Sequence, residues 1–287
     1  MSERSTRQKE TLSIRRILVA VDASRDSRAA LRAAVQMASR FHAELEGLYV
    51  EDLNVLRAAR IPFANEFGHY TGDRRLISPM AIERDMRARV RQMRRLFHAM
   101  TEQESIHGFF HVARGMVPSE IRSAAAKADV LIIGRMGWAQ TDVERMGGAV
   151  ESACSDTAPR VTAVLRDGAV LAPPVVVLYD GSDNAGKALR VGAALVDELS
   201  GPLQILLLPV PGENTANLKG QANACLQPTP IMRQYRVLTS LRLPWLIHTL
   251  HDTAAGTLVL PGDAQVLQEG RMSHLLAKID IPVLLVR

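Results

Sequence analysis

The sequence predicts an α/β chain made of two tandem, open, doubly wound parallel sheets. Aliphatic runs of strand length alternate with helical stretches from residue 14 onward, the order of β-α-β units that pair strands in parallel through right-handed crossovers. That order then restarts. Asp22, Ser24 and Leu31 are separated by two and seven positions, and Asp180, Ser182 and Leu189 repeat both intervals. Near the far ends, Gly147 lies 12 positions before Pro159 and Gly270 lies 12 before Pro282, each proline preceding a closing aliphatic run. Self-similarity at this distance reads as an internal duplication.

The elements follow in order. Ile14 to Val21 is a β-branched, aliphatic run of buried parallel-strand character, and a helix with an apolar stripe follows from about Ser27 to Phe41. A second strand covers Ala43 to Val50. Residues 51 to 80 hold Pro62, Gly68, Gly72 and Pro79 and read as a long irregular excursion with one short helix near Leu53 to Ala59. An amphipathic helix through Ile82, Met86, Val90, Met93, Phe97 and Met100 comes next, then a strand at Phe109 to Ala113. Pro118-Ser119-Glu120 opens another helix. Val130 to Gly134 is a strand, a glycine-bearing loop leads to a helix from about Gly148, and Val161 to Leu165 closes the half. The turn-rich stretch 166–174 separates residues 1–168 from a second, shorter domain at 169–287. There Val175 to Tyr179 is a strand, a helix runs to about Leu199, and Leu203 to Leu208 is a strand. The second copy lacks most of the excursion and part of its second helix.

The 287 residues are 47% hydrophobic and 23% charged, enough apolar content to fill two cores and inconsistent with a disordered or collagen-like chain. Two cysteines, Cys154 and Cys225, without C-x-x-C spacing read as small core residues of a reduced compartment. The polar N-terminus has no signal-peptide core, and the apolar runs fall far short of the roughly 18 residues that span a bilayer. A cytoplasmic protein with no membrane partner is expected.

Net charge is +5, and it is unevenly placed: residues 1–166 hold 26 basic and 20 acidic side chains, residues 167–287 hold 9 and 10. Arg84, Arg87, Arg89, Arg91, Arg94 and Arg95 concentrate the excess on one helix. A solvated face is the first reading and a phosphate-backbone site the second. No interleaved aromatics offer stacking for bases, and no nucleic-acid partner is expected.

Ligands of such sheets bind at the carboxyl ends of the strands, where this chain presents Asp22, Val50 and a loop containing Gly134, Gly137, Gly147 and Gly148. Glycines admit phosphate close to main-chain N–H groups, and a helix N-terminus adds its positive dipole end. Asp22 also suits a turn or cap with Ser24 at the following helix. Trp138, inside the loop, reads as surface packing or a ligand cover. His107 with His111 and His248 with His251 have no accompanying carboxylate set, so no metal site is assigned. No G-x-S-x-G, H-E-x-x-H or P-loop motif occurs, and no catalytic residue is assigned.

Taken together, ILVAVDAS at 17–24, ADVLIIGRMG at 128–137 and G-x-x-G-x9-G ahead of the last helix resemble the universal stress protein family. VVVLYDGS at 175–182 and IPVLLV at 281–286 look like the same Rossmann-like domain repeated, so the resemblance is to a tandem form. It implies ATP bound in the first domain, with Asp22 near the adenine, main chain at Val50, and Gly134, Gly137 and Gly147 around the phosphates, with magnesium as an accompanying ion. Gly148 stands where the family carries Ser or Thr, and Ala23 where it usually carries glycine. In the second domain Asp180 survives but Pro261 replaces Gly134, so that half is read as a structural partner. The function implied is an ATP-binding regulatory or stress-response module with an unknown protein partner. A nucleotide-free scaffold and a weak ATPase are the alternatives.

Three expectations follow. A bulky residue at Gly134 or Gly137 should abolish ATP binding without unfolding the domain. The closing strands should pair, making an intrachain pseudo-dimer and leaving further homo-oligomers open. The apolar excursion, with Leu53, Leu56 and Ile61, either covers the core or folds beside the pocket as a lid or partner surface.

Overall fold

The computed structural model describes residues 14–58, 61, 65–67, 74–76, 78–135, 159–208, 214–238, 242–264 and 271–287. Its main sheet has ten strands. The first half supplies β1 (Arg16–Val21), β2 (Glu44–Asp52), β5 (Gly108–Gly115), β6 (Val130–Gly134) and β7 (Val161–Leu165). The second supplies β8 (Val175–Tyr179), β9 (Leu203–Leu207), β10 (Arg233–Val237), β11 (Thr257–Pro261) and β12 (Val283–Val286). Their spatial order is β10-β9-β8-β11-β12-β7-β6-β1-β2-β5, so each half repeats one arrangement outward from the middle.

The inner strands β6, β7, β8 and β11 are buried at every position, as their unbroken aliphatic runs require when helices cover both faces. Helices α1 (Arg25–Phe41), α3 (Pro79–Gln103), α5 (Asp183–Leu199) and α6 (Thr215–Cys225) cover one face. Helices α4 (Val117–Ala125), α7 (Leu243–Asp252) and α8 (Arg271–Lys278) cover the other. Their starts are written in the sequence: Ser24 and Ser182 cap α1 and α5 through bonds from Ser27 N and Ala185 N, each 3.1 Å, while α3, α4 and α7 carry proline in the first turn. Cys225 is half-buried against the core, and Cys154 lies outside the described residues.

The two closing strands meet. β12 pairs with β7 antiparallel, with Val283, Leu284, Leu285 and Val286 facing Val164, Ala163, Thr162 and Val161. Every other pairing in this sheet is parallel. Antiparallel contact between like strands is what a local twofold axis produces, and it leaves no bare edge in the middle of the sheet. Polar links flank the seam. Arg287 N donates to Arg160 O (2.9 Å), the Arg135 guanidinium to Leu276 O, Arg166 pairs with Asp280, and Arg40 Nη1 donates to Glu198 O (3.1 Å).

Among its described residues the excursion holds more than the one short helix expected. After α2 (Leu53–Ala58) it contains an antiparallel hairpin of β3 (Asn65–Phe67) and β4 (Arg74–Leu76), pairs too short for a periodicity to register. Its counterpart in the second half goes from β9 to α6, and α6 has 11 residues against 25 in α3. Among the described residues no helix is long and apolar enough to cross a membrane.

Candidate functional site

The sheet order sets the ends of β2, β1 and β6 side by side. Val21 faces Tyr49 and Ala20 faces Ile133, which brings Asp22 abreast of Val50 and Gly134 abreast of Val21. Chain connections leave β1 toward β2 on one side and reach β6 on the other, so this is the switch point at which open α/β sheets leave a crevice. Three of the residues singled out from sequence therefore converge. Gly137, Gly147, Gly148 and Trp138 lie outside the described residues.

Asp22 is buried, at 8% exposure. Its Oδ1 accepts a bond from Ser24 N (2.8 Å), and its own N–H donates to Ser27 Oγ (2.7 Å). Aspartate shapes the turn and Ser24 caps the helix. The result is a rigid entry to α1, whose positive dipole end opens beside the acid. Next to Val50, the Tyr49 hydroxyl is held above its usual pKa by burial, against the pull of Arg89, with Asp22 and Glu51 adding to the rise. Glu51 in turn accepts from Arg114 Nε at 2.8 Å. The β2 side of the crevice is therefore lined by charge of both signs.

Gly134 has a reason that sequence spacing does not reveal. A Cβ there would lie 2.8 Å from Asp26 C and Ser27 N and 3.0 Å from Asp26 Cβ. The missing side chain lets the first turn of α1 sit directly on the end of β6. The expectation that Gly134→Val would spare the fold is corrected on this point, because the clash is with backbone.

Asp26 is the residue sequence reasoning passed over. As an acid in a helix first turn it looks like solvent-facing dipole compensation, yet it is buried at 7% exposure, and its Oδ1 accepts from Asp167 N at 2.8 Å. It ties the interdomain linker to the mouth of the site. Beside it, Arg135 follows Gly134 directly. Its N–H donates to Leu165 O (2.7 Å) and its guanidinium to Leu276 O across the seam. Burial and the neighbouring Arg166 lower the Arg135 pKa, and Asp26 opposes them.

The second half reproduces the outline without the chemistry. Asp180 Oδ1 accepts from Ser182 N (3.0 Å), but Ala185 stands where Ser27 supplies its hydroxyl. Pro261 faces Val286 as Gly134 faces Leu165, and Gly262 N donates to Val286 O (2.7 Å) as Arg135 N does to Leu165 O. Among the described residues no three His, Cys, Asp or Glu side chains are grouped as metal ligands. His111 instead pairs with Glu46 (2.9 Å) and His248 approaches Asp252 (3.6 Å).

Comparison with known proteins adds the following. A model of the universal stress protein family matches residues 13–164, more than half of the chain. No curated protein matches it. Among solved structures, a universal stress protein from Archaeoglobus fulgidus DSM 4304 is similar with a TM-score of 0.71 at 16% identity, over 95% of this chain and 98% of that one. A functionally unknown protein from Pseudomonas aeruginosa PAO1 is similar with a TM-score of 0.58 at 12% identity, over 96% and 92% of the two chains. At such identities the likeness is one of fold, and it extends over both halves.

Proposed function

Because this chain belongs to the universal stress protein family, we propose that its first half binds ATP at the ends of β1, β2 and β6 and that the protein works as a nucleotide-dependent regulatory or stress-response module. The observation that carries the reading is the convergence of Asp22, Val50 and Gly134 on one switch point, with the α1 N-terminus opening beside them. In this reading Asp22 lies near the adenine and Val50 contributes main chain. Gly134 and the following Gly137 and Gly147 bring N–H groups to the phosphates. Magnesium would travel on the triphosphate oxygens, its preferred ligands.

The two halves would then divide the work. Arg135 leaves the phosphate loop and bonds Leu276 O in the second half, so a change in the loop on nucleotide binding has a direct route across the seam. Asp180 and Pro261 leave the second half as a structural partner without nucleotide.

Mass spectrometry of ligand released from the purified chain, followed by calorimetry with ATP, tests the reading. Expected are one site per chain, loss of at least tenfold in affinity in Asp22→Asn, and unchanged affinity in Asp180→Asn. The asparagine keeps the Oδ1 acceptor that Ser24 N uses, so the fold remains. Absence of released adenine nucleotide together with no binding heat at millimolar ATP would leave the scaffold reading in its place.

A further inference from the structure

The α3 arginines form a solvated row in sequence, and the fold sets a second row beside them. Arg25, Arg28 and Arg32 are exposed on α1 at intervals of three and four, so they share one stripe. Arg84, Arg87, Arg91 and Arg95 make the same kind of stripe on α3 with Arg94 flanking it, and Arg89 lies on the other side of the helix, all exposed. The helices lie in one layer. Arg32, Gln36 and Arg40 of α1 line a single cavity of about 300 Å³ with Met100, Gln103 and Glu104 at the end of α3. At a rise of about 1.5 Å per residue, Arg28 and Arg32 lie roughly level with residues 91–96 of α3.

The face is short of counter-charge. The two helices hold ten arginines against four carboxylates, and one of these, Asp26, is buried. Of the α3 row only Arg87 has an ion-pair partner among the described residues, Glu83 at 3.2 Å, and no carboxylate occurs between Asp85 and Glu102. Like charges so close repel, at a cost that a stable fold does not require. The corresponding helices of the second half, α5 and α6, hold three basic and three acidic residues, so the excess is not a property of the fold.

We propose that the paired arginine rows of α1 and α3 bind the phosphate backbone of duplex DNA without reading its sequence. Arginine presents a planar fork that suits phosphate oxygens, and no lysine interrupts either row. Neither helix exposes a Phe, Tyr or Trp side chain there: Phe97 is buried and Phe41 half-buried. That removes both stacking on single-stranded bases and an apolar wedge into lipid. Geometry suits a duplex. The α3 row, from Arg84 to Arg95, spans roughly 17 Å, about half a turn of DNA.

Fluorescence anisotropy with a labelled 20-base-pair DNA of arbitrary sequence and the full chain tests this, without ATP. Binding is expected at 50 mM salt, weakening by about 10³ or more at 200 mM if six phosphates are engaged. Arg28→Glu/Arg32→Glu and Arg91→Glu/Arg95→Glu should each weaken binding at least tenfold and flatten the salt dependence. Arg91→Lys/Arg95→Lys keeps the charge and should retain most of the affinity, which separates lost contact from lost fold. Lys187→Glu/Arg190→Glu on α5 should change nothing. No binding at 50 mM salt, an equal loss from the α5 variant, or tighter binding to phosphatidylserine vesicles than to the duplex would overturn the proposal.

Discussion

Helices α1 and α5 are each 17 residues long, begin at a serine two positions after an aspartate, and end in a left-handed residue, His42 with φ 49° and Ser200 with φ 54°. Their buried positions coincide: Ala30, Leu31, Ala34, Met37 and Ala38 on one, Ala188, Leu189, Gly192, Leu195 and Val196 on the other. The charges at their exposed positions differ. Arg25, Arg28 and Arg32 project from α1, whereas α5 exposes Asp183, Lys187, Arg190, Asp197 and Glu198. The inner stripe and the two ends are what the sheet demands of a helix, and both copies satisfy them. Everything outward is free to diverge.

The largest difference between the halves and their join is expected at the seam. Leu284 lies in β12, fully buried at the seam opposite Ala163. Leu284→Ala should cost about 2–5 kcal/mol in urea unfolding. Val237→Ala, on the exposed outer edge strand β10, should stay within about 0.5 kcal/mol. Similar values for the two would mean the seam is not a shared core.

At the crevice the halves should respond unequally. Gly134→Ala forces a Cβ against the α1 backbone and should destabilise by about 1–3 kcal/mol, lowering the melting temperature. Pro261→Ala, at the corresponding place in β11, meets no such constraint and should cost about 1 kcal/mol or less. Equal melting temperatures in the two variants would remove the packing explanation for Gly134.

A smaller difference is expected one turn away. Ser27→Ala strips the buried Asp22 N–H of its acceptor and should cost about 1–2 kcal/mol, read by chemical denaturation. Its counterpart Ala185→Ser should be tolerated within about 0.5 kcal/mol, because it removes no bond and sets a hydroxyl five residues after Asp180 N, as Ser27 stands after Asp22.

The smallest effect is a pH dependence. Burial raises the hydroxyl pKa of Tyr49 and of Tyr235, so above pH 10 the unfolded chain releases these protons first and stability falls as pH rises. Tyr49 is the more buried, and an arginine opposes the rise at each, Arg89 at Tyr49 and Arg233 at Tyr235. Tyr49→Phe should therefore flatten the alkaline loss more than Tyr235→Phe in melts between pH 9 and 11.

Sequence patterning reached the strands Val130–Gly134, Val161–Leu165 and Val175–Tyr179 to the residue, since a strand buried on both faces is a continuous apolar run bounded by turns. It reached α1 through its apolar stripe and the Asp22-Ser24 turn through local bonds that span five residues. The β3–β4 hairpin escaped because three-residue strands carry no period. Asp26 escaped because burial of a first-turn acid depends on Asp167, 141 positions away.

Alternation of apolar runs and amphipathic helices was thus sufficient by itself to determine the α/β class, the restart at Val175 and the strand-end residues Asp22, Val50 and Gly134. These are local or periodic properties, fixed by which side chains can share a face. The tertiary structure alone decided that β7 meets β12 antiparallel, that Gly134 serves the packing of α1, and that helices α1 and α3, whose arginine stripes lie more than 50 residues apart in sequence, share one layer. Each depends on which distant segments come into contact, and an apolar run or a charged stripe shows that a face is buried or wet without naming its neighbour.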